Sequence, residues 1–514
     1  MALNIRMRAL KLVRQVESWF DGAFGVHNNP LRHLGALGFY FFWMMALTGT
    51  YLYAFYDTGV TQAFDSVERI THEQWYLGAI MRSLHRYAAD AFVVVIGLHL
   101  VKETVNARYR GFRWFSWLTG VPTLWLAYAS GIGGYWLVWD RVAQFSATAT
   151  AEWFDRLPLF GEPLARNFLT PAAINDRFFS LLSFLHIGIP LLLLLAMWVH
   201  VQRVSLADTA PPRRLGWGSL AALIALSVAK PALSAAAANL ASEPAQIGLD
   251  WFYLFVHPLM YRSSPAMTWG FAFGATLLLA AAPLLSRVKA APVARVSPPD
   301  CNGCGRCVAD CPYSAVQLIP HTLKGTYKQQ AQVDTGLCAS CGICAGACPS
   351  STPFRSASVL VSGIDMPLLP IDALRRQLNT GLAQLSGTAR TVVVGCDCAA
   401  DVSAVAGAGV VTLSLPCIGN LPPAFIEYAL RRGRQAAGAD GVLITGCREG
   451  DCAYRFGNEW TEQRLAGRRE PHLRQHVPRD RIRVAWANSG EEAILARSLA
   501  AFRAGLVPKE AIAP

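Results

Sequence analysis

No cysteine occurs in the first 300 residues of this 514-residue chain, and all 13 lie between Cys301 and Cys452. A thioether-bound cofactor is thereby excluded from the longer N-terminal part. Charge is also scarce. It makes up 16% of residues against 53% hydrophobic, too apolar for an ordinary soluble enzyme and too polar for membrane spans alone. A cleavable signal peptide is lacking, since the chain opens on the basic amphipathic run Arg6, Arg8, Lys11 and Arg14. No nucleotide-binding glycine fingerprint, nucleophile elbow or other motif of substrate chemistry appears. The net charge of +12 does not point to nucleic acid, because in the apolar half it sits in loops where membrane topology puts it.

Six apolar runs are long enough to cross a hydrocarbon core of about 30 Å: residues 34–55, 78–101, 114–139, 178–201, 215–233 and 265–285. The fifth is short and ends at Lys230 and Pro231. Basic residues crowd the loops before the first run, between the second and third, between the fourth and fifth, and after the sixth. The positive-inside rule therefore places both ends, and the cysteine-rich half, on the cytoplasmic side of a bacterial or archaeal inner membrane.

The second run carries His85 and His99, fourteen positions apart. Fourteen steps move the second imidazole about 21 Å along the helix and leave it within about 40° of the first one's direction. The fourth run repeats the interval with His186 and His200. A single membrane histidine can be a satisfied polar contact. Four at one interval, on two helices running the same way, make two pairs. His85 levels with His186 and His99 with His200, each a bis-imidazole site suited to a six-coordinate, electron-transferring haem, the second nearer the cytoplasm. Gly35 and Gly49 in the first run, and Gly120 and Gly134 in the third, are also fourteen apart. Small residues commonly just pack membrane helices, but the shared interval favours bare backbone where a flat macrocycle approaches.

These residues, with LGALGFYFFWMMALTG, IMRSLHRYAADAFVVVIGLH, WLTGVPTLWLAYASGIGGYWLVW and RFFSLLSFLH followed by WVH, resemble cytochrome b of the quinol-oxidising bc-type complexes over roughly residues 28–286. The resemblance implies two b haems on the four histidines, Arg82 and Arg86 near haem propionates, and a homodimer. Interfacial anchoring is the plain alternative for the arginines. The family's outer quinol site carries Pro-Glu-Trp-Tyr where this chain has Leu249, Asp250, Trp251 and Phe252. Asp250 would then be the quinone-site proton acceptor, one methylene shorter, or else a vestigial loop carboxylate. No Rieske-type ligand pattern follows.

After a Pro- and Ala-rich linker (residues 290–299) come CNGCGRCVADCP and CASCGICAGACP. Each is C-x2-C-x2-C-x3-C-P, the bacterial two-cluster ferredoxin run, in which the fourth cysteine of each run ligates the other cluster. One [4Fe-4S] cluster is expected on Cys301, Cys304, Cys307 and Cys348, the second on Cys338, Cys341, Cys344 and Cys311. Zinc also takes paired CxxC motifs, but three close cysteines plus a proline, twice, disfavour it. Farther on, TVVVGC, VVTLSLPC and GVLITGC read as parallel strands, with a helix over residues 423–433 between the last two. Cys396, Cys417 and Cys447 each close a strand at the edge where ligands gather in open α/β sheets, with Cys398 and Cys452 in the following loops. Five converging thiols suggest an iron–sulfur site. GCDC, LPC and ADGVLITGCREGDCAYRFGN resemble the delta subunit of methyl-viologen-reducing hydrogenases over roughly residues 391–506. That resemblance implies one [2Fe-2S] cluster and a heterodisulfide-reductase-type flavoprotein partner. The family spaces its first pair C-x2-C, here Cys396-Asp-Cys398, leaving open which four of the five ligate.

The expected architecture is multidomain: an all-α transmembrane haem bundle of about six helices (1–290), a small α+β ferredoxin-like domain (291–355), an extended and helical linker (356–390) and a C-terminal α/β open-sheet domain (391–514). The expected function is electron transfer between the quinone pool and a cytoplasmic redox partner, either a flavoprotein of that type or a hydrogenase-type subunit. The direction is partner to quinone, since ferredoxin-type clusters are commonly low in potential. The reverse is energetically accessible, because the membrane field does about 2.3 kcal/mol of work per charge per 100 mV. A membrane redox sensor is the reading from another class.

Overall fold

The computed structural model describes residues 2–158, 174–204, 207–242, 246–285, 291–325, 327–431 and 438–506. The expected boundary at residue 290 and the end of the 423–433 helix lie outside them. The chain divides into two compact units, residues 1–202 with 207–288, and residues 289–514 with 203–206.

The first unit is helical. Each of the six apolar runs coincides with a helix: α2 (Leu34–Phe55), α4 (Trp75–Val105), α5 (Trp114–Trp136), α7 (Asp176–Val201), α8 (Arg213–Ala229) and α10 (Pro265–Leu285). Among the described residues, four further helices were not among the expected runs: α1 (Ala2–Phe24), α3 (Gln62–His72), α6 (Arg141–Phe154) and α9 (Val256–Arg262). These four are shorter or more polar, so a search for spanning runs passes over them. By length and composition, α7 (mean hydropathy 2.3) and α10 (1.6) qualify to cross a membrane. Helix α7 starts where Asn175 accepts a hydrogen bond from the Phe178 amide at 3.1 Å, an N-cap that satisfies one orphan donor. Its outer face leaves Phe184 71% and Leu191 62% exposed, apolar surface that water disfavours and lipid accommodates. The core joins Leu37, Phe41 and Phe42 of α2 to Leu84, Ala88 and Phe92 of α4.

The second unit has three sheets. Strand β1 (Arg295–Val296) pairs antiparallel with β4 (Ile364–Asp365), and β2 (Val316–Pro320) with β3 (Gln329–Val333). The largest sheet is parallel, in the order β6 (Val410–Leu415), β5 (Thr391–Cys396), β7 (Gly441–Ile444), β8 (Ile482–Val484). Its central strands are β-branched and buried on both faces, as a covered parallel sheet requires. Because β5 has β6 on one side and β7 on the other, the chain reverses winding direction beside Cys396.

The expected linker is not a free connector. Residues 356–390 supply β4, which completes the pair with β1, and helix α13 (Ile371–Gln384), whose Gly381 lies against Val411 of β6. The strand is two residues long, and no periodicity reveals so short an element. The ferredoxin-like and open-sheet segments also pack directly. Helix α12 (Ile343–Gly346) meets the turn Ile418–Asn420 so closely that a Cβ on Gly346 would stand 2.3 Å from the Gly419 carbonyl oxygen. Overpacking a fixed backbone costs about 1 to 3 kcal/mol. Gly346→Ala is therefore expected to lower the calorimetric melting temperature of the C-terminal unit, and an unchanged midpoint would contradict this close packing.

Candidate redox centres

Helices α4 and α7 bring His85 and His186 together, their ring centroids 6.4 Å apart and their planes at 71°. Nδ1 of His85 lies 3.0 Å from the Met45 carbonyl oxygen, and Nδ1 of His186 lies 3.1 Å from that of Ser130. A carbonyl only accepts, so each Nδ1 carries the proton and each Nε2 keeps its lone pair for a metal. A metal bonded at about 2 Å to Nε2 of both rings sets the centroids on the order of 6 Å apart, so the pair fits such an ion. Nδ1 of His200 lies 3.4 Å from the Thr119 hydroxyl.

The four glycines each face one histidine. A Cβ on Gly49 would stand 3.0 Å from Cε1 of His85, one on Gly134 2.9 Å from Cε1 of His186, one on Gly120 3.1 Å from Cε1 of His200, and one on Gly35 3.9 Å from Cε1 of His99. Helix α2 thus runs antiparallel to α4, and α5 to α7, and the shared fourteen-residue interval arises because each glycine matches a ligand across the pair. The bare backbone makes room for the imidazoles themselves, a narrower role than clearance for a macrocycle. At Gly134 a methyl forces the ring aside, whereas at Gly35 it makes an ordinary contact. Gly134→Ala is expected to lower the haem content measured by pyridine haemochrome, and Gly35→Ala to leave it unchanged.

The resemblance implied propionate contacts for Arg82 and Arg86. Arg82 hydrogen-bonds Thr71 Oγ1 at 2.6 Å and Ser234 Oγ at 2.7 Å, with Glu68 at 3.5 Å. Arg86 is ion-paired with Asp250 and lies 4.7 Å over the Tyr135 ring. Asp250 also accepts from the Tyr135 hydroxyl and from the amides of Phe252 (2.5 Å) and Tyr253 (3.2 Å). Its carboxylate is 4% exposed and both of its oxygens accept hydrogen bonds. Sequence reasoning missed this pairing across 164 residues, and no local signal announces it.

In the second unit, a cavity of about 300 Å³ is lined by Cys301, Cys304, Cys307 and Cys348. Another, of about 320 Å³, is lined by Cys311, Cys338, Cys341 and Cys344. Each cavity collects three cysteines of one run and the fourth of the other. Left-handed glycines turn the backbone around them, Gly303 at φ 67° and Gly305 at 76° in the first, Gly342 at 78° in the second. Backbone amides aim at the sulfurs, Ala315 N at Cys311 Sγ (3.2 Å) and Ala331 N at Cys301 Sγ (3.4 Å). Burial, then the thiols of Cys348, Cys304 and Cys301, push Cys307 up to about 12. A bound iron cluster relieves this by its positive charge, which deprotonates a coordinating thiol outright.

The last five cysteines gather at the C-terminal edge of the parallel sheet. Cys447 and Cys417 are raised well above the ordinary thiol value, first by neighbouring thiols, Cys396 and Cys452 for Cys447 and Cys452 for Cys417, and then by burial. The Cys398 thiol lies 3.9 Å from the Pro416 carbonyl oxygen, and its own carbonyl accepts from Cys447 Sγ at 3.5 Å. Gly457, at the start of α15 (Gly457–Leu465), cradles the group: a Cβ there would stand 2.2 Å from Cys417 Sγ and 3.4 Å from Cys452 Sγ. Sequence reasoning missed Gly457, although it lies in the stretch CAYRFGN after Cys452. This site adjoins the second cavity. The Cys341 thiol feels Cys452, and Cys417 feels Cys341.

Three parts of the chain match known families. Residues 26–207 match the family model "Cytochrome b/b6/petB". Residues 300–352 match "4Fe-4S dicluster domain", and residues 389–507 match "Methyl-viologen-reducing hydrogenase, delta subunit". A solved structure titled "Hyperthermophilic respiratory Complex III" aligns with 49% of this chain and 75% of that chain, at 22% identity and a TM-score of 0.40. A helical segment similar to cytochrome b is thus followed by one similar to a 4Fe-4S dicluster domain and one similar to a hydrogenase delta subunit.

Proposed function

We propose that this chain is a membrane electron-transfer subunit that carries electrons between the quinone pool and a soluble redox partner. The observation that supports it best is that one chain presents paired imidazoles 6.4 Å apart and three separate thiol-lined sites, each of a shape suited to a one-electron carrier. His85 with His186, and His99 with His200, hold the two b haems. The eight cysteines of the two cavities hold two [4Fe-4S] clusters, and four of Cys396, Cys398, Cys417, Cys447 and Cys452 hold one [2Fe-2S] cluster. These groups supply one-electron chemistry. The protein's own residues fix imidazole tautomers through the Met45 and Ser130 carbonyls and bury Cys301, Cys307, Cys341 and Cys344 among the thiols.

The nearness of the C-terminal thiols to Cys341 supports electron exchange between the second [4Fe-4S] cluster and the [2Fe-2S] cluster. The partner is a flavoprotein of the heterodisulfide-reductase type or a hydrogenase-type subunit, and electrons run from it to quinone. Asp250, held by Arg86 and Tyr135, anchors the quinone-facing end of the bundle.

His99→Leu is expected to remove one of two b-type optical bands while the cluster signals persist; unchanged haem content would remove His99 from the ligands. Cys452→Ser is expected to abolish the [2Fe-2S] electron paramagnetic resonance signal, and a retained signal would remove Cys452 from the ligands. Timing haem reduction in the anoxically purified complex, by quinol and by the reduced partner, tests the function itself. If neither reduces the haems within a turnover, the reading fails.

A further inference from the structure

A buried ion cluster lies between the second [4Fe-4S] cavity and the C-terminal thiol site, and neither ligand set uses it. Asp310 is 2% exposed and immediately precedes Cys311. Its Oδ2 accepts from Arg464 Nη2 and its Oδ1 from Arg469 Nη1, both at 2.5 Å. The Arg464 side chain is 1% exposed, and its Nη1 donates to the Gly419 carbonyl at 2.8 Å, two residues beyond Cys417. Its Nε has no hydrogen-bond partner. The guanidinium is within electrostatic reach of the Cys417 sulfur. Arg469 stacks 4.4 Å over the Trp460 ring and donates to Gln463.

Two arginines against one carboxylate leave a net charge of +1 at this place. Packing alone does not explain it, since burying ions costs several kcal/mol each and apolar side chains of similar volume commonly serve as well. What such a group supplies is a field, weakly screened because water is excluded. Reduction adds one electron, and no proton, to an iron–sulfur site, so a fixed positive charge beside it favours the reduced form.

We propose that Arg464, with Asp310 and Arg469, raises the reduction potentials of the second [4Fe-4S] cluster and the [2Fe-2S] cluster together, making them the electron sink of the C-terminal unit relative to the first cluster. The inference rests on the cofactor assignment above. Arg464 is a positioning residue: it acts through its charge and through its grip on the Gly419 carbonyl.

The test is a redox titration of the whole purified chain, following each cluster by electron paramagnetic resonance. Arg464→Met removes the positive charge and is expected to lower both potentials, leaving the first cluster's unmoved. Asp310→Asn removes the negative charge from the same contact and is expected to raise them. Arg464→Lys keeps the charge and is expected to restore values near the original. A merely structural pair predicts no shift, or shifts of one sign in both Arg464→Met and Asp310→Asn, and either outcome overturns the proposal. If Arg464→Met does not fold, Asp310→Asn against Arg464→Lys decides alone, an unmoved potential in Asp310→Asn being the overturning result. Absence of three cluster signals from the unaltered chain would instead overturn the cofactor assignment.

Discussion

A hydrogen atom where any other residue would place a carbon is the constraint on which both units depend. In the helical unit, Gly49, Gly120 and Gly134 leave between 2.9 and 3.1 Å where a Cβ would meet an imidazole carbon. In the C-terminal unit, Gly457 lies against the Cys417 sulfur and Gly346 against the Gly419 backbone. The histidines there are half-buried and the thiols of Cys417 and Cys452 buried, and a buried polar group must have a partner. Glycine lets the backbone come near enough for the ligand to be held in one orientation while its donor atom stays available.

The same constraint connects helix packing to chemistry. Antiparallel α2 and α4, and antiparallel α5 and α7, set glycine opposite histidine twice per pair, so one interval recurs in four helices. With the ring oriented and Nδ1 committed to a carbonyl, the tautomer that can ligate is the one the fold stabilises. In the second unit, left-handed glycines at 303, 305 and 342 turn the chain about each cavity, and each cavity draws its fourth cysteine from the other run. The two cavities therefore form together. Electron carriers on such a frame need little motion, which suits a group that changes charge without changing ligands.

Charge placement is the second theme. Asp250 is a buried carboxylate in the helical unit, and Asp310 one beside the thiol-lined sites of the other. Each is fixed by arginine, whose planar fork can satisfy a carboxylate that water cannot reach. Such pairs are poor sources of stability but steady sources of field, and electron carriers respond to field.

Sequence by itself determined the apolar helices, the histidine and glycine interval, and the grouping of eight cysteines into two sets, because periodicity and local spacing are properties of a short stretch of chain. It also placed three cysteines at strand ends, from β-branched runs alone. Only the tertiary structure decided that residues 356–390 are built into the C-terminal unit, that Arg86 belongs to Asp250, that Gly457 lies against the Cys417 sulfur, and that Arg464 bridges Asp310 and Gly419. Each of these joins residues distant in the chain, through contacts no local pattern encodes. They are settled by which surfaces exclude water from each other once the helices and sheets have packed.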